Sequence, residues 1–203
     1  MNTLSVLGLS TGFDAANAFV GITVLNRLGV AVRLGLPYGI AVFILCVCAQ
    51  TGFAIRMHAV EETVAFIALT GCLGASVFTD VATGYVLDVI TLPSLMAALF
   101  MAAFEGRVAQ VFEGALCVSS ALLLLYGLSR GRGIGLGDAK LAACVGALLG
   151  IKDGFIALGI AFVLGGTYAT ILLLGKRAER KQSLPFAPYI AAGVFAVLSL
   201  RSV

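Results

Sequence analysis

Two aspartates carry the chemistry that this sequence can do. Asp138 lies in the run Arg132-Gly-Ile-Gly-Leu-Gly-Asp138-Ala-Lys140, where Gly133, Gly135 and Gly137 fall within the five residues before it, at the mouth of an apolar segment. Glycine inside a helix costs roughly 1 kcal/mol relative to alanine, so the cluster predicts local unwinding or close backbone approach rather than an ordinary helical turn. Asp80 stands at the end of an earlier apolar run. Two carboxylates brought together at a partly apolar boundary resist simultaneous ionisation, through like charge and through desolvation. One proton shared between them makes an acid and a base in a single site.

Whether the two acids meet depends on how the chain crosses its surroundings. With 61% hydrophobic and 11% charged residues and a mean hydropathy of +1.09, there is too little polar surface to coat a soluble globule, so the reading is an all-α, polytopic transmembrane bundle. Apolar runs at residues 36–55, 63–79, 89–104, 109–128, 139–151, 154–175 and 185–200 give seven spans. Residues 1–35, with Asn17, Asn26 and Arg27 in an apolar setting, either lie in the interface or add one more crossing. No basic residue precedes Arg27 and no cleavage site is readable, so a removable signal peptide is not expected. The run 139–151 is short and either begins within the glycine stretch or is a broken helix, and its brevity fits a functional site.

Loop charges orient the bundle. Arg130, Arg132, Lys140, Lys176, Arg177, Arg180 and Lys181 fall on one side and Arg56, Arg107 and Lys152 on the other, and this seven-to-three bias places the first set in the cytoplasm. Between Asp80 and Asp138 the chain crosses twice, which returns both acids to that cytoplasmic face. The net charge of +3 is modest and sits in short loops, so no nucleic-acid partner is implied. Cys46, Cys48, Cys72, Cys117 and Cys144 lie in apolar stretches without a C-x-x-C pair, and read as small buried thiols. His58 stands alone on the opposite face, so a metal site centred on it is not expected.

A plainer reading stands beside this one. An aspartate at a membrane interface is often a solvated helix end, and Asp138 before Ala139-Lys140 fits an N-cap. Asp88, eight residues after Asp80, is either a turn residue or a substrate-facing charge. Asp14, Glu105, Glu113, Asp153 and Glu179 read as solvated loop or helix-end charges. Paired acids also suit a small proton-coupled transporter, although that function predicts an acid deep in the bilayer, whereas both of these lie near ends of apolar runs. If no dyad forms, a structural assembly protein remains.

Three motifs then give the sequence a family resemblance. Phe78-Thr-Asp80-Val-Ala-Thr-Gly-Tyr-Val-Leu-Asp88-Val-Ile-Thr-Leu-Pro93 resembles the first aspartate box of the type IV prepilin leader peptidases, membrane aspartic proteases of the GxGD class. Gly135-Leu-Gly137-Asp138-Ala-Lys140-Leu, continuing through Gly146-Ala-Leu-Leu-Gly150, is similar to their GxGD-x-K box. Leu184-Pro185-Phe186-Ala187-Pro188-Tyr189-Ile190 resembles their Pro-Phe-Gly-Pro segment. Together these cover roughly residues 60–200.

The resemblance implies a six-helix peptidase core over residues 59–203, preceded by a membrane or interfacial region, 1–58, that adds one or two helices and has no assigned role. It implies Asp80 and Asp138 as the catalytic pair, without metal or cofactor. Gly135 and Gly137 would let the acids and an extended substrate approach one another, Lys140 would tune the dyad or contact substrate (or snorkel to headgroups), and Asp88 would attract a basic leader. Pro185 and Phe186 would shape the site. The substrates implied are prepilins or pseudopilins, cleaved at the cytoplasmic face of a prokaryotic inner membrane, with pilus or secretion machinery as further partners and the oligomeric state undetermined.

The departures are specific. Large members carry paired C-x-x-C motifs linked to N-methylation, which are missing from this sequence, so the chain resembles a short form of the Flp or tight-adherence type. Ala82 replaces a common second acid, Leu87 a common proline and Ala187 the usual glycine. The presenilin-like proteases share GLGD, but Thr79 precedes Asp80 in place of their tyrosine and the Pro185 segment lacks their Pro-Ala-Leu.

Overall fold

The computed structural model describes residues 60–131, 133–175 and 185–201. The expected region 1–58, its span at 36–55, and the loop cations Arg132, Lys176, Arg177, Arg180 and Lys181 lie outside the described residues. Within them the chain is helical: α1 Val60–Thr83, α2 Asp88–Phe104, α3 Val108–Leu128, α4 Leu136–Leu174 and α5 Ala187–Arg201. The apolar runs at 63–79, 89–104, 109–128 and 185–200 each fall on a helix.

One boundary differs from the sequence reading in a way that matters to the site. Helix α1 does not stop before Asp80 but runs on to Thr83, so Asp80 sits in its last turn. Thr83 Oγ1 donates to Thr79 O (2.7 Å) and the Gly84 amide to Asp80 O (2.7 Å), which satisfies carbonyls at the helix end. Gly84 (φ 77°) then takes the left-handed conformation that ends many helices, and only Gly84 to Leu87 separate α1 from α2.

Helix α4 is interrupted rather than continuous. At Gly150 the backbone has φ 77° and ψ −175°, a conformation open essentially to glycine alone. A Cβ there would meet nothing within 4 Å, so backbone shape and not crowding demands the glycine. A Cβ placed on Gly154 would lie 3.5 Å from the Cα of Gly146, whereas eight residues of straight helix separate such positions by about 12 Å. The chain therefore turns back on itself at Gly150. Gly114 of α3 enters the same crossing: a Cβ on Gly114 or on Gly146 would collide with the other's carbonyl oxygen. Three backbone segments pass that closely only because no side chain stands between them.

Helix α4 is the central element, packed most extensively on α3, then on α5, and also on α2 and α1. Most of its buried positions are small, among them Ala139, Ala142, Cys144, Gly146, Gly154, Ala157 and Ala161, with Leu141, Val145, Leu149 and Leu158 filling the space between. Many large apolar side chains face outward, including Phe100, Phe104, Leu124, Val163 and Leu174, the last 80% exposed. In water such a surface would aggregate; in a bilayer it is the ordinary lipid-facing coat. Val108–Leu128 and Leu136–Leu174 are long and apolar enough to cross a membrane, and Asp88–Phe104 and Ala187–Leu200 are shorter apolar helices. This is the build of a membrane protein.

Candidate active site

Asp80 is 6% exposed, yet its carboxylate has a backbone donor. The Ala187 amide donates to Oδ2 at 2.9 Å, and Phe186 directly precedes it in the chain. Both lie at the start of α5, where the amides of the first turn have no partner within the helix. The Phe186 carbonyl accepts from Tyr189 N (3.0 Å) and Ile190 N (3.2 Å), opening the helix that Asp80 caps from outside. A carboxylate at a helix N-terminus gains from both the amides and the helix dipole.

Aromatic packing holds those amides in place. The Phe186 ring lies 5.1 Å from that of Phe162, and Tyr189 lies 6.0 Å from Tyr168, both partners being on α4. Gly165 lies beneath this cluster, where a Cβ would meet ring carbons of Phe186 and Tyr189 at 3.3 Å. Pro185, half-buried, directly precedes Phe186 and has no amide hydrogen of its own to place.

Asp138 is half-buried in the first turn of α4. It is not the N-cap. Gly135 holds that position, and Asp138 stands three residues on, with Oδ2 accepting the Gly135 amide at 3.2 Å. This is the backward reach of the third residue in a capping box, here without a capping side chain at Gly135. The charge of Asp80 acts on Asp138. Gly137 is helical, not unwound; its role is close approach, since a Cβ there would lie 2.8 Å from Cβ of Val86.

Lys140 does not reach for Asp138. Its ammonium donates to Oδ1 and Oδ2 of Asp88 at 2.6 and 2.7 Å, across an exposed surface. Asp88 is the first residue of α2, so neither member of this pair is simply solvated. Deeper between α1, α2 and α4, Cys144 Sγ donates to Thr91 O (3.6 Å) and Cys72 Sγ lies 4.0 Å from Ser76 Oγ, both cysteines being buried free thiols as expected. Among the described residues no cluster of His, Cys, Asp and Glu is arranged to hold a metal ion.

Sequence reasoning missed two contributors, the Ala187 amide and the Val86 side chain. A main-chain donor leaves no mark in residue type, and Val86 is one valine among many in an apolar chain.

The comparisons with known proteins fall on these same elements. Residues 67–170, which contain both aspartates, match the family model described as the type IV leader peptidase family. The chain belongs to the type IV leader peptidase family. Among curated relatives, the Prepilin leader peptidase/N-methyltransferase of Burkholderia pseudomallei is 36% identical over 126 residues, 59% of this chain and 40% of that protein. The protein of the same name from Bacillus subtilis is 35% identical over 102 residues, 50% of this chain and 40% of that protein. Leader peptidase HopD of Escherichia coli is 28% identical over 146 residues, 68% of this chain and 94% of that protein. This leader peptidase family chain thus spans 40% of the length of the first two relatives named. No solved structure matches it.

Proposed function

We propose that this chain is a membrane-embedded aspartic endopeptidase of the GxGD class, removing the short basic leader from type IV prepilins or pseudopilins of the Flp or tight-adherence kind. What supports the reading is a pair of acids, Asp80 on α1 and Asp138 on α4, each with Oδ2 on a backbone amide and the charge of Asp80 acting on Asp138, in a chain of the leader peptidase family. With Oδ2 of each acid committed to the backbone, the remaining edges of the carboxylates are where a water would bind.

The pair carries one proton. The ionised carboxylate takes a proton from the water as its oxygen attacks the scissile carbonyl carbon. The protonated partner gives its proton to the departing amide nitrogen as the C–N bond breaks, so no covalent enzyme intermediate forms. The products are a shortened pilin with a free amine and a leader with a free carboxylate, and the dyad ends with one proton, its roles exchanged.

Gly150 supports a six-span core, since its reversal makes two crossings of α4. Residues 59–203 form that core, and 1–58 precede it as a separate membrane or interfacial region. The site lies at the cytoplasmic face of an inner membrane, by the loop-charge bias, where a basic leader ahead of an apolar helix can reach it. Gly135, Gly137, Asp88, Lys140, Pro185 and Phe186 shape the site.

The test is co-expression with a prepilin from the same genome, scoring leader removal by wild type, Asp80→Asn and Asp138→Asn. Loss of cleavage in both variants, with membrane insertion intact, is expected. Processing retained by both would overturn the reading.

A further inference from the structure

We infer that the Asp88–Lys140 ion pair is a positioning clamp, which sets how the first turn of α4 is rotated and so aims Asp138 at Asp80. The inference rests on the peptidase reading for its kinetic consequences, though not for its structural ones.

Four residues, Gly84 to Leu87, lead from the helix that carries Asp80 to the helix that begins with Asp88. This short segment and the first residue of α2 each grip α4. Val86 packs against Gly137, where even one methyl group would be too close at 2.8 Å. One turn on, the Lys140 ammonium takes both carboxylate oxygens of Asp88, at 2.6 and 2.7 Å.

Gly137 and Lys140 flank Asp138 along the helix. Side chains two apart do not face each other, so Lys140 and Asp138 leave the turn in different directions, Lys140 toward Asp88 and Asp138 with Oδ2 on the Gly135 amide. The Lys140 ammonium is held by Asp88, while the charge of Asp80 acts on Asp138. Lys140 therefore acts on the dyad through the backbone of its turn. An exposed pair of this kind adds little to global stability. Its effect lies in register, because a displacement of about 1 Å at reacting groups costs on the order of a hundredfold in rate.

The experiment uses the full chain in detergent micelles and a purified prepilin from the same genome, with wild type, Lys140→Met, Lys140→Arg, Asp88→Asn, the double variant Asp88→Asn/Lys140→Met and the exchanged pair Asp88→Lys/Lys140→Asp. The clamp predicts that Lys140→Met and Asp88→Asn each lower kcat about tenfold with KM within about twofold. It predicts a double variant no worse than either single, and recovery to within about threefold in Lys140→Arg. A raised KM at unchanged kcat, or additive losses in the double variant, would overturn it in favour of direct substrate contact.

Hydrogen exchange of the amides of residues 139–142, the first that bond within α4, is the second measurement. Faster exchange in Lys140→Met, reversed at least in part by the exchanged pair, is expected; unchanged exchange overturns the clamp. If the wild type does not cleave the prepilin, the peptidase reading falls, and hydrogen exchange still decides the clamp.

Discussion

The amide of Ala187 donates to Oδ2 of Asp80 at 2.9 Å across 107 residues of sequence, which joins the start of the last helix to the end of the first described one. Ala187→Pro removes that donor while keeping a residue that suits the first helical position. A hydrogen bond to a charged group contributes about 1.5–3 kcal/mol, so peptidase activity is expected to fall roughly 10- to 100-fold, with helicity by circular dichroism unchanged. Ala187→Gly keeps the amide and is expected to stay within about threefold of wild type. Equal losses in both would place the effect in the side chain.

Gly137→Ala adds a Cβ 2.8 Å from the Cβ of Val86, and overpacking of this kind costs about 1–3 kcal/mol. Lower leader cleavage and a lower unfolding temperature in detergent are expected. Because the clash is with Cβ itself, Val86→Ala cannot relieve it, whereas Val86→Gly should restore part of the loss in the double variant. Relief by Val86→Ala would contradict this geometry.

Gly150→Ala tests backbone shape alone, since a Cβ there meets no neighbour. Forcing alanine into φ 77°, ψ −175° costs on the order of 1–3 kcal/mol, read as a lower midpoint of thermal or denaturant unfolding. Gly146→Ala should destabilise more, because its Cβ would meet the backbone of Gly114. The reverse order would mean that the crossing is looser than described.

The shared proton makes kcat/KM for leader cleavage bell-shaped in pH. On the acid side both carboxylates are protonated and no base remains. On the alkaline side both are ionised and no acid remains to protonate the leaving nitrogen. A pH titration of cleavage rates at low substrate checks it, and a single limb that never turns over would contradict a one-proton dyad.

The sequence by itself determined the helical class, the apolar coat and the two acids. Hydropathy and residue identity are local properties, and with each crossing the parity of spans brings the chain ends to one face or the other. Parity assigned Asp80 and Asp138 to one face and left the glycine run before Asp138 as either local unwinding or close approach. It did not give Lys140 its partner, make Gly135 the cap in place of Asp138, or show that α1 runs past Asp80 to Thr83. Those depend on which helix face meets which, and in a membrane every outward position is apolar, so the usual amphipathic stripe that reports a helix's rotation is nearly erased. Only tertiary packing, through Gly137 against Val86 and α5 against Asp80, decided how the two carboxylates are held.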